Sequence, residues 1–257
     1  MPNFKYEGSS YWRQHETKKR SYFDLVNENT YLEALRILKI KEGARIIDIG
    51  AGFPPPANTE EMIAVSKIYE VLEKKLKAKI TPLDIREIAI RFHQKAGRKG
   101  IVGDFFNLPI RDNSFDGALL FNIFNLLYPL PNEDYVFLTS EEAEEILRGV
   151  FRILKPGGFA IINQFGFVYG SWWRDKFAHR VLEIDELKKI CREIGFKIIR
   201  DLPLDKRREE EIKQKFYKDL AETFGLDREK AEKLKLVPII QSAGAFTVSY
   251  THLRAHE

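Results

Sequence analysis

Three carboxylates recur in one kind of setting along this chain. Asp48 belongs to the run Ile46-Ile47-Asp48-Ile49-Gly50-Ala51-Gly52, Asp84 to Leu83-Asp84-Ile85, and Asp104 to Val102-Gly103-Asp104-Phe105-Phe106. Each accompanies a short apolar run of strand type, which places it toward the carboxyl end of a strand. In an open parallel sheet that edge is where ligands bind. A fourth run, Leu154-Lys155-Pro156-Gly157-Gly158, has the composition of a turn that feeds a further strand.

The chemistry these residues can do is recognition of a nucleoside. Glycines at positions 50 and 52 let the backbone turn sharply and let a ligand approach without meeting a Cβ atom. A dinucleotide fingerprint needs a third glycine at position 55, where this chain has proline within Pro54-Pro55-Pro56. Glu60 and Glu61 add negative charge to the first turn of the following helix. Phosphate is repelled there, whereas a ligand carrying an ammonium and a sulfonium is favoured. Asp84 can accept two hydrogen bonds from ribose hydroxyls, or it can cap the helix that begins at Ile85-Arg86-Glu87. Asp104 can accept from an exocyclic amine while the Phe105 amide donates to a ring nitrogen, the pair of contacts that adenine offers; as a turn residue it would do neither.

The elements that must carry these residues alternate. Ala44 to Ile49, Lys79 to Leu83, Ile101-Val102, Gly117 to Phe121, Phe159 to Asn163 and Phe196 to Arg200 read as strands. Helical periods fall at Tyr31 to Leu38, from Asn58 to Leu76, at Ile85 to Ala96, at Glu141 to Leu154 and at Asp185 to Ile194. Residues 205–235 read as a charge-dense helical insertion, and a last strand falls within Ile239 to Tyr250.

These four runs, in this order, resemble the class I S-adenosylmethionine-dependent methyltransferases, particularly their small-molecule branch, over about residues 30 to 200. The resemblance implies an α/β fold: a doubly wound, mostly parallel, seven-stranded Rossmann-like sheet whose last strand is antiparallel. It implies S-adenosyl-L-methionine as cofactor, with Asp48, Gly50 and Gly52 at its methionine portion and with Ala51 and Ile85 among the residues that bind it. Asp84 would take the ribose, Asp104 and Phe105 the adenine, and Asn122 would line the site near the transferred methyl. The chain departs from the pattern at Pro54, where many relatives have a third small residue.

The activity implied is methyl transfer to a small molecule, with an RNA or protein acceptor, or a non-catalytic cofactor-binding regulator, as alternatives. After the fourth strand the chain reads Phe121-Asn122-Ile123-Phe124, without the Asn/Asp-Pro-Pro-aromatic run of nucleic-acid amino-methylases. His15, His93, His179, Tyr11 and Tyr22 are base candidates by type alone, so no catalytic residue is assigned. The histidines lack metal-ligand spacing, and no metal is expected. Phe165, Phe167, Tyr169, Trp172 and Trp173 suit an acceptor pocket or core packing equally.

Residues 1–42 read as an amino-terminal helical segment able to act as a lid, and 43–247 as the methyltransferase domain containing the 205–235 insertion. Residues 248–257 resemble a translated sequencing adapter and read as a non-native tail. With 257 residues, a net charge of +4, one cysteine and no long apolar run, the chain is expected to be a cytoplasmic protein without membrane association.

Overall fold

The computed structural model describes residues 28–52, 68–121, 123–124, 128–129, 135–136, 138–164, 167–169, 182–202, 206–233, 239–241 and 244–250. Helix α1 (Glu28–Ile37) leads into β1 (Arg45–Ile49), whose β-branched Ile46, Ile47 and Ile49 favour an extended strand covered on both faces. A helical segment ending as a π-helix (Val71–Lys75) returns the chain to β2 (Lys79–Asp84). Helix α2 (Glu87–Lys95) and the short β3 (Ile101–Val102) follow, then β4 (Phe115–Phe121).

Helix α3 (Ser140–Ile153) begins where Thr139 and Glu142 form a reciprocal capping box, satisfying two amide donors that the first turn would otherwise leave exposed. It runs directly into β5 (Leu154–Gln164). Helix α4 (Ile184–Ile194) stops at Gly195, and β6 (Phe196–Leu202) precedes helices α5 (Lys206–Phe224) and α6 (Arg228–Lys233). The last strand of the main sheet is β7 (Gly244–Tyr250).

The seven strands lie in the order β3-β2-β1-β4-β5-β7-β6. Pairings from β3 through β5 are parallel, and β7 is antiparallel to both its neighbours. The α/β sheet expected from the sequence is therefore present, with its antiparallel last strand. Strand order reverses between β1 and β4, which makes the carboxyl ends of these strands the topological switch point.

Alternation along β1 divides the core. Ile47 and Ile49 face α3 and α4 with Ile146, Leu147, Val150 and Leu187. Ile46 faces the other layer with Ile68, Tyr69 and Leu72. Asp48 shares that second face by the same period, so its carboxyl is carried under the sheet's helical cover rather than out into solvent.

One close approach fixes the centre of the sheet. A Cβ at Gly117 would lie 2.3 Å from Cζ of Phe159 on the paired strand β5. Gly117→Ala is expected to destabilise the fold by about 1–3 kcal/mol through overpacking. Denaturant unfolding checks this, and Phe159→Leu in the same chain should recover part of the loss.

The structure also redraws one boundary and adds two short ribbons. Lys155-Pro156-Gly157-Gly158 is absorbed into β5: Leu154 already pairs with Phe115, and the register shifts before Gly117 meets Phe159. The last strand falls within Ile239 to Tyr250 as expected, and ahead of it Ile239–Gln241 pairs antiparallel to Phe167–Tyr169 in a separate ribbon. A small antiparallel ribbon joins Tyr128–Pro129 to Tyr135–Val136. Val248, Ser249 and Tyr250, the first residues of the adapter-like stretch, continue β7. Val248 is buried, and the Tyr250 ring lies 4.2 Å from that of Phe151.

Candidate functional site

The turn after β1 is built by the chain's own amides. Gly50 and Gly52 adopt φ of 70° and 59°, a region open to glycine at little cost. The amides of Gly50 and Ala51 both donate to the Leu83 carbonyl, at 2.8 and 3.0 Å, and thereby lock the turn to the end of β2. The Gly52 amide donates to Asp84 Oδ2 at 2.8 Å. From the other side, the Gly103 amide donates to the Asp84 carbonyl at 3.1 Å, which ties in the segment after β3.

Asp84 is nearly buried and holds more than the glycine turn. Its Oδ1 accepts from the Arg86 amide at 2.9 Å and from Arg86 Nε at 3.0 Å, and its Oδ2 receives Arg86 Nη2 at 3.4 Å. Asp104, also buried, accepts from the Phe106 amide at 2.9 Å through Oδ1. Among the described residues nothing donates to Asp104 Oδ2, and the Phe105 amide donates to none. Phe105 is partly buried against the core. The loop that follows is held from α3, where Arg152 donates to the carbonyls of Ile110 and Leu108 at 2.7 and 3.0 Å and to Asp112 at 2.7 Å.

Beneath the turn lies a buried polar cluster. The Tyr69 hydroxyl donates to Asp48 Oδ2. Burial pushes the Asp48 carboxyl up to about 7, against the Tyr69 hydrogen bond, which lowers it; the nearby charge of Asp84 raises it further. Burial and the Asp48 charge in turn raise the Tyr69 phenol. Arg98 sits 4.8 Å from the Tyr69 ring centroid and is held at 2.6 and 2.8 Å by Glu73. His93 Nε2 lies 3.2 Å from the Gly52 carbonyl, while Nδ1 has no partner among the described residues. Burial, then the Arg98 charge, lowers the His93 pKa and favours the neutral ring.

Tyr69→Phe is expected to cost about 1–3 kcal/mol, because it leaves the Asp48 carboxyl buried without its donor. Thermal or denaturant unfolding at constant pH reads this directly. A variant as stable as the parent would contradict it.

The expected site residues Asp48, Gly50, Ala51, Gly52, Asp84, Ile85, Asp104 and Phe105 thus all fall at the carboxyl edge of β1, β2 and β3, with Asp48 withdrawn beneath the turn. Asn122 lies outside the described residues. Its neighbour Ile123 is buried and would lie 3.3 Å from a Cβ at Gly50, so the end of β4 closes one side of the turn. His93 belongs to the turn's support. Tyr11, Trp12, His15, Tyr22, Pro54 to Pro56, Glu60, Glu61, Phe165, Trp172, Trp173 and His179 also lie outside the described residues.

Sequence reading missed Tyr69 and Arg98 as partners of Asp48, and Arg86 as the partner of Asp84. Tyr69 carried only a helical apolar signal, whereas the Asp-x-Arg spacing of Asp84 and Arg86 was visible. Cys191 is buried, and its thiol is pushed up to about 12 by that burial, as suits a packing residue. A cavity of about 390 Å³ occurs at the opposite edge of the sheet, lined by Ala44, Asp116, Lys155 and Phe159 among others, far from these acids in the strand direction.

A doubly wound sheet of this order, with a glycine turn at its switch point and acids at the next two strand ends, is a Rossmann-like α/β architecture. Residues 64–162 match a family model described as a methyltransferase domain. The 24-methylenesterol C-methyltransferase 2 of Oryza sativa subsp. japonica is 25% identical over 188 residues, covering 65% of this chain and 45% of that protein. The 24-methylenesterol C-methyltransferase 3 of Arabidopsis thaliana is 24% identical over 136 residues, 50% of this chain and 31% of its own length. The chain therefore spans less than half the length of these curated relatives.

Among solved structures, a provisionally named sarcosine dimethylglycine methyltransferase of Galdieria sulphuraria superposes with a TM-score of 0.57 at 13% identity, covering 96% of this chain and 99% of that one. The [4+2]-cyclase SpnF gives 0.51 at 17% identity, covering 90% and 86%, so likeness of fold here is not likeness of reaction. The chain is thus similar to methyltransferases in sequence over residues 64–162 and in fold over most of its length. Among the described residues, no helix is long and apolar enough to cross a membrane.

Proposed function

We propose that this protein transfers the methyl group of S-adenosyl-L-methionine to a small-molecule acceptor. The observation that carries the reading is the single hydrogen-bonded edge joining the Gly50-Ala51-Gly52 turn, Asp84 and the Gly103-Asp104 segment. The residues fit that cofactor. Asp104 Oδ2 and the Phe105 amide provide an acceptor and a donor side by side, as adenine requires. Asp84 and Ile85 would hold the ribose, and Gly50, Ala51 and Gly52 would border the methionine portion, with Asp48 below them and Asn122 toward the methyl.

When bound, the cofactor supplies a methyl group already activated on a sulfonium. The protein's share is to orient the acceptor in line with the S–C bond and to exclude water. Residues 1–27 of the segment expected to act as a lid lie outside the described residues, and α1 within it is packed on the sheet through Ala34 and Leu35. A small-molecule acceptor is favoured by the sterol methyltransferase names of the curated relatives, and by the Phe121-Asn122-Ile123-Phe124 sequence where nucleic-acid amino-methylases carry a Pro-Pro motif.

Calorimetry with S-adenosylmethionine, S-adenosylhomocysteine and NAD tests the premise; binding of NAD alone would sink it. Transfer of radiolabelled methyl in a cell extract, resolved into small-molecule, RNA and protein fractions, tests the acceptor. Label is expected in the small-molecule fraction, and label confined to RNA or protein would overturn that part.

A further inference from the structure

The bonding of Asp84 is complete before any nucleoside arrives. An ionised carboxylate offers about four lone-pair positions on two oxygens. Here the amides of Gly52 and Arg86 take one position on each oxygen, at 2.8 and 2.9 Å. Arg86 Nε at 3.0 Å and Nη2 at 3.4 Å take the other two. The two amides belong to the backbone of the turn and of the α2 start, so they stay. The guanidinium is a side-chain group, 23% exposed, and its Nη2 is also the atom nearest to a Cβ built at Gly52, at 3.4 Å. It therefore occupies the space directly over the glycine turn and against the outward positions of Asp84.

We infer that Arg86 is a specificity-determining residue that guards the ribose position. Its guanidinium takes the positions on Asp84 that the two ribose hydroxyls need and must be displaced when they bind. Only a ligand presenting both hydroxyls can replace both guanidinium contacts on Asp84. A ligand lacking them would have to leave Arg86 in place. The Arg86–Asp84 pair thus lowers affinity for the correct cofactor and, in exchange, fixes the Asp84 carboxylate that receives the Gly52 amide of the turn. This inference rests on the proposed cofactor and deepens it.

The test uses Arg86→Met, which keeps the aliphatic stem and removes the competing donors. Calorimetric titration with S-adenosylhomocysteine is expected to show Kd falling about three- to tenfold relative to the wild-type protein. Titration with the 2′,3′-dideoxy analogue of S-adenosylhomocysteine should show no such gain. Loosening of the structure would shift both ligands alike and in the weaker direction. A variant that binds S-adenosylhomocysteine no better than wild type, or gains equally for both ligands, overturns the role of Arg86 and leaves the cofactor reading intact. A wild-type protein that binds no S-adenosylhomocysteine overturns the cofactor reading itself, and this inference with it.

Discussion

Asp84→Ala is expected to weaken S-adenosylhomocysteine binding by about a hundredfold or more. Two charge-assisted hydrogen bonds to ribose hydroxyls contribute about 1.5–3 kcal/mol each, less what is lost in displacing the Arg86 guanidinium. The substitution also removes the acceptor that the Gly52 amide uses at 2.8 Å, so the glycine turn loses one of its three ties to β2 and keeps the two bonds to the Leu83 carbonyl. Asp84→Asn separates these effects, because a side-chain amide oxygen can still accept from Gly52 although the negative charge is gone. Calorimetry on both variants checks the ordering: alanine weakest, asparagine intermediate. Wild-type affinity in the alanine variant would show that Asp84 holds no part of the ligand.

The second large effect is on stability. Asp48 titrates near 7 in the folded protein, against an ordinary value of 3.8, so the folded state holds this proton more tightly than the unfolded chain does. A raised carboxyl pKa adds stability that is whole at pH values under the unfolded pKa and is lost as pH climbs through the folded one. The loss therefore runs from about pH 4 to about pH 7, and a shift of some three units corresponds to up to about 4 kcal/mol. His93 acts in the opposite sense. Its pKa is lowered, so its contribution is present above the unfolded value of 6.5 and declines as the solution is acidified below that. Asp48→Asn removes the carboxyl titration while leaving an oxygen for Tyr69. Subtracting the unfolding free energies of variant and parent, measured from pH 4 to 8, should yield a curve that slopes with pH and levels above neutrality. A flat difference would mean that Asp48 is not held protonated by the fold.

What the residues disclosed and what they concealed follows from the range of the interactions. Strand ends were legible because an apolar run followed by glycine or aspartate is local chemistry, and the chain carries it at Ile49-Gly50, Leu83-Asp84 and Gly103-Asp104. The start of β5 was not, since Lys155-Pro156-Gly157-Gly158 has turn composition and only the pairing of Leu154 with Phe115, thirty-nine positions away, draws it into the strand. Tyr69 was legible as a buried helix position, yet the same apolar period arises whether its hydroxyl meets water or a carboxylate. Its bond to Asp48 spans 21 residues and leaves no trace in the pattern. Arg152 likewise reads as a charged residue near a helix end; that it fastens the loop before β4 depends on carbonyls 42 and 44 residues earlier.

The placement of β7 has a consequence for assembly. This segment is the last to be synthesised among the described elements, yet it is inserted between β5 and β6 and hydrogen-bonds to both. Until it emerges from the ribosome, two strands made long before have no common partner, and each presents a bare edge to other nascent chains. Closure of the sheet must wait for translation of residues 244–250 and depends on pairings between distant segments, which form slowly on topological grounds.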